Sequence, residues 1–98
     1  MNQAVWAVCF ALFAAGFSLL ILRRELLAML LGLELMVNAA NIGVVYGASL
    51  TGDAAGLSAA LLIIAIAAAE AVIGLSLILR VYQSGRSPES DVLRELRG

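Results

Sequence analysis

Residues 56–79 read GLSAALLIIAIAAAEAVIGLSLIL, an apolar run whose only ionisable group is Glu70. About 20 consecutive apolar residues suffice for a helix to cross a hydrocarbon core roughly 30 Å thick, so the stretch predicts a membrane span. Arg80 and Tyr82 close it with a charge and an interfacial aromatic. Upstream, residues 26–47 form a second apolar run, interrupted by Glu34, Asn38 and Asn41 and carrying Tyr46 near its far end. The polar, glycine-bearing residues 48–53 between these runs read as a loop. A third run is free of charge from residue 4 to residue 22, with Trp6 about one turn inside its start and Arg23-Arg24-Glu25 closing it. The expectation is an all-α membrane protein with one membrane domain over residues 1–98. Its helices fall at about 3–22, 26–47 and 56–80, followed by a polar tail at 81–98.

The tail holds Pro88, the single proline. Ser87-Pro88-Glu89 has the pattern of a helix start, with an N-cap serine, proline at the first helical position and an acid in the first turn. Val92, Leu93 and Leu96 would then share one side of a short helix lying on the membrane surface or on a partner.

Composition agrees with lipid as the solvent. The chain is 63% hydrophobic and 13% charged, whereas a soluble domain is about half apolar and about a quarter charged. A net charge of -1 argues against nucleic-acid binding. With no histidine and only Cys9, the chain lacks the usual nitrogen and sulfur ligands for zinc, haem or an iron–sulfur cluster, and no metal or cofactor site is expected in it. Cys9 is expected to pack as a small apolar residue of the first helix. Uncharged Met1-Asn2-Gln3 before the first run, and two arginines after it, have the opposite polarity to a cleavable signal, so this run is expected to be a retained helix.

The arginines set the expected orientation. Arg23 and Arg24 lie between the first two helices, and Arg80, Arg86, Arg94 and Arg97 follow the third, while the other side carries only Asp53. The positive-inside rule places the first loop and the C-terminus in the cytoplasm and the N-terminus outside.

Two residues then stand out. Glu34 and Glu70 lie at similar depth, roughly 12–15 Å inside the membrane. A charge there costs about 2.5–3.5 kcal/mol on insertion scales and normally faces a bundle interior or a hydrated cavity. Two carboxylates about 10 Å apart would repel by about 1.7 kcal/mol at an effective dielectric of about 20, enough for each to sense the other's charge. Proton handling is the favoured reading, because an amide could join helices without the cost of a charge. Asn38 and Asn41 follow Glu34 by four and seven residues and share its helical face. They read either as a hydrogen-bonding lane or, somewhat better, as polar glue between helices. Small residues around Glu70, with Gly43 and Gly47, suit close helix packing. Three helices have little interior of their own, so other membrane subunits are expected to cover these faces.

The segment Gly32-Leu33-Glu34-Leu35-Met36-Val37-Asn38-Ala39-Ala40-Asn41 resembles the second-helix motif of the K subunit (NuoK type) of respiratory complex I, the proton-pumping NADH:quinone oxidoreductase. Ala67-Ala68-Ala69-Glu70-Ala71-Val72-Ile73-Gly74-Leu75 is similar to its third-helix motif, and Leu93-Arg94-Glu95-Leu96-Arg97-Gly98 to its ending. Where the family often has Asp-Gly-Gln entering the third helix, this chain has Asp53-Ala54-Ala55-Gly56. The resemblance implies a non-redox subunit of the membrane arm, between quinone-side and antiporter-like subunits, in a bacterial-type inner membrane. It implies that Glu34 and Glu70 handle protons and that Arg23 and Arg24 form the basic cytoplasmic loop supporting coupling. NADH, flavin, iron–sulfur clusters and quinone are then expected on other subunits. The alternatives are a C-type subunit of a multisubunit sodium/proton antiporter, expected to lack the acid in the third helix, and a purely structural assembly subunit. A proton-binding rotor subunit of an ATP synthase would have two helices and one acid.

Overall fold

The computed structural model describes residues 2–85. It contains three helices, α1 (Gln3–Leu22), α2 (Leu26–Thr51) and α3 (Ala54–Gln83), each long and apolar enough to cross a membrane. The helix expected from Ser87 onward lies outside the described residues. At about 1.5 Å per residue α1 is about 30 Å long, the thickness of the hydrocarbon core, whereas α3 at about 45 Å overshoots it.

The helix ends are set by local hydrogen bonds. The Asn2 side chain accepts from the Ala4 N–H at 3.0 Å and caps α1. Arg23 leaves the helix in an extended conformation, and the connection to α2 is only Arg23-Arg24-Glu25. The expected loop at 48–53 shrinks to Gly52 and Asp53, because α2 continues to Thr51. Ser49 Oγ donates to the Tyr46 carbonyl at 2.7 Å and Thr51 Oγ1 to that of Gly47 at 3.3 Å, so these polar residues bond back onto the helix instead of breaking it. Gly52 ends α2 at φ 67°, a left-handed conformation suited to glycine. Asp53 then caps α3, its carboxylate accepting from the Ala55 N–H at 2.9 Å. This starts α3 two residues before the expected position, and its far end runs to Gln83.

Helix α2 stands between the other two, and no α1 Cα comes within 8 Å of an α3 Cα. The α1–α2 contact is backbone on backbone. A Cβ placed on Gly32 would come within 2.5 Å of the Gly16 carbonyl oxygen, and one on Gly16 would strike the Gly32 carbonyl in turn. Further along, Cys9 is buried and the Trp6 ring lies edge-on to Tyr46, with centroids 5.6 Å apart. The Asn2 N–H donates to the Tyr46 hydroxyl, tying the start of α1 to α2. On the other flank, Leu26, Ile78 and Val81 form a small core with Met29 and Leu30 against it. Most large apolar side chains face outward; Phe10 is 74% exposed and Leu61 68%. Such a surface is at equilibrium in lipid or against other membrane helices, where it costs no hydrophobic energy.

Candidate functional site

The α2–α3 contacts define a register that places the two glutamates. Leu30 packs on Gly74, Asn41 donates to the Ala60 carbonyl, and Ala48 meets Gly56. The helices run antiparallel. Four residues up α2 from Leu30 lies Glu34, and four residues back along α3 from Gly74 lies Glu70. Those equal steps from one contact point put the carboxylates level on neighbouring helices, whose axes in such packings lie about 8–10 Å apart.

A four-residue step also turns a side chain by about 40°. Both steps run the same way along the bundle, so both side chains turn in the same sense about their own axes. On two facing helices that carries them to opposite sides of the seam. Exposure fits this placement: Glu34 is half-buried and Glu70 exposed on this chain. The expected burial of the pair is therefore not supplied by the chain itself. Its helices meet through Leu30 on Gly74, Asn41 on Ala60 and Ala48 on Gly56, and the turn of about 40° carries each carboxylate off that line of contact. Neither glutamate has a hydrogen-bond or ion-pair partner among the described residues.

The two asparagines separate. Asn41 is buried, with 7% of its surface exposed, and its Nδ2 donates to the Ala60 carbonyl at 3.3 Å. It joins α2 to α3, while its Oδ1 is buried without a partner among the described residues. Asn38 is exposed and points away from the chain's own contacts. Arg23 and Arg24 are exposed at the α1–α2 connection, roughly 12 Å or more along the axis from Glu34, so they do not share a site with it. Gly43 meets the Trp6 ring, whereas Gly47, expected to allow close approach, has nothing within 4 Å of a Cβ position.

Sequence reasoning missed two features. The Gly16–Gly32 crossing lies two residues before Glu34 and fixes that part of α2 against α1. Gly16 had no signal of its own, because the partner glycine lies on another helix. The Trp6–Tyr46–Asn2 cluster was visible only as two separate interfacial aromatics.

The fold and site define a small polytopic helical membrane protein that presents one mid-helix carboxylate at each edge of a tight helix pair. Residues 4–98 match the family described as NADH-ubiquinone/plastoquinone oxidoreductase chain 4L, and the chain belongs to that family, the NuoK-type subunit of complex I. It is thus an integral membrane subunit of an NADH–quinone oxidoreductase, and its partners are other subunits of that complex.

Proposed function

We propose that this chain is a non-redox membrane-arm subunit that couples quinone reduction to proton translocation through Glu34 and Glu70. The observation that carries this reading is the pair itself: two carboxylates level on adjacent apolar helices, at opposite edges of one seam, with no partner among the described residues. Leaving such groups in lipid costs several kcal/mol. The cost is relieved when neighbouring subunits cover them with polar groups or water. Each glutamate then exchanges protons with whatever lies against its own edge, and the seam holds the two at a separation where one charge is felt by the other. Asn38 faces outward beside Glu34 and serves as a relay toward the covering subunit, whereas Asn41 serves as glue. The basic loop at Arg23 and Arg24 lies in the cytoplasm of a bacterial-type inner membrane and docks a quinone-side subunit. Flavin, iron–sulfur clusters, NADH and quinone belong to other subunits.

Glu34→Gln and Glu70→Gln test the proposal, since each removes the charge and nearly keeps the shape. Complexes carrying either variant are expected to assemble and to lose proton translocation and quinone-linked NADH oxidation to different degrees. Full pumping by the assembled double variant would refute a proton-handling role, and failure to assemble would make the glutamates structural.

A further inference from the structure

Because α1 and α3 do not meet, one side of α2 lies at the bottom of a groove of about 560 Å³. Its walls include Leu20, Leu30, Leu33 and Leu77, and the charged group on it is Arg80, in the last turns of α3. We propose that this groove holds one acyl chain of an anionic phospholipid, with the lipid phosphate on the Arg80 guanidinium.

Three observations favour this occupant. From Arg80 inward to Leu33, which the Leu30–Gly74 contact sets level with residue 71, the groove runs nine residues or about 14 Å, close to one leaflet of a roughly 30 Å core. Its cation lies toward the arginine-bearing end, with Val81 and Ser84 beyond it and the other apolar walls deeper. Arg80 is exposed and has no partner among the described residues, and a guanidinium matches the oxygens of a phosphate. The Ser84 hydroxyl already donates to the Val81 carbonyl at 2.7 Å, leaving Arg80 as the group that selects charge.

The test uses the intact complex in vesicles containing phosphatidylglycerol with a photoreactive acyl chain. Adducts on this chain are mapped by peptide mass spectrometry. They are expected to concentrate near Leu33 and Leu77. In Arg80→Gln they should fall about fivefold, the ratio implied by about 1 kcal/mol per basic group at an anionic surface. Arg80→Lys should retain most of the labelling, and Leu77→Trp should block it by filling the groove. A photoreactive phosphatidylcholine should label weakly and be indifferent to Arg80→Gln. Labelling spread evenly over outward residues such as Phe10 and Leu61, or unchanged in Arg80→Gln, would overturn the proposal. So would a density map of the wild-type complex with a neighbouring subunit's helix in the groove, a result that needs no variant to assemble.

Discussion

Substituting Gly32 by alanine probes the contact that fixes α2 beside Glu34. The new Cβ would lie 2.5 Å from the Gly16 carbonyl oxygen and 3.1 Å from Leu19 Cβ and the Leu20 nitrogen. A carbon–oxygen contact is comfortable from about 3.3 Å, so α1 must retreat locally by about 0.8 Å. Two of these atoms are backbone and the Leu19 Cβ is fixed to it, so no side-chain rotation relieves the clash. A gap of that size forfeits roughly a quarter to a half of each dispersion contact around it. Overpacking of this kind costs about 1–3 kcal/mol. Gly16→Ala makes the reciprocal clash and should cost about the same. One retreat of α1 serves both new methyl groups, so the double variant should cost about 1 kcal/mol or more less than the two single effects added. Gly47→Ala is the control, because nothing lies within 4 Å of its Cβ position on this chain. The assay heats the purified complex and follows retention of this subunit, together with cysteine cross-linking between α1 and α2. Gly32→Ala as heat-stable as Gly47→Ala, or strictly additive single effects, would refute the reasoning.

Asn41→Leu should change subunit stability by no more than about 1 kcal/mol, since it loses a hydrogen bond worth about 0.6 kcal/mol in a membrane but removes the orphaned Oδ1; thermal retention checks this. Asn38→Leu should leave α2–α3 packing intact and slow proton pumping, read as acidification of vesicles per NADH oxidised. Asp53→Ala removes the α3 cap and should cost about 1 kcal/mol, seen as faster hydrogen exchange at the Ala55 amide. Tyr46→Phe deletes the acceptor for the Asn2 N–H and should loosen the start of α1 by about 0.5–1.5 kcal/mol, measured by limited proteolysis near Asn2.

The three spans were legible because an apolar run of helical length has few other readings, and the charges at 23–25 and at Arg80 punctuate it. The end of α2 was not legible. Ser49, Thr51 and Gly52 look like a loop, yet α2 continues to Thr51, with the Ser49 and Thr51 hydroxyls bonded back to the Tyr46 and Gly47 carbonyls. Counting along the helices foretold that Glu34 and Glu70 lie at similar depth, and the antiparallel Leu30–Gly74 contact agrees. Which edge of the seam each occupies could not be read from one helix alone, because it depends on how the partner helix is turned. The same limit hid the difference between Asn38 and Asn41, whose shared face is divided by the position of α3.

The exposed position of Glu70 also bears on the life of the chain before assembly. A newly inserted copy without neighbours holds that carboxylate toward lipid at a cost of about 2.5–3.5 kcal/mol. The proposed function has a neighbouring subunit covering that edge, which removes the penalty. An orphan copy is thus energetically distinct from an incorporated one.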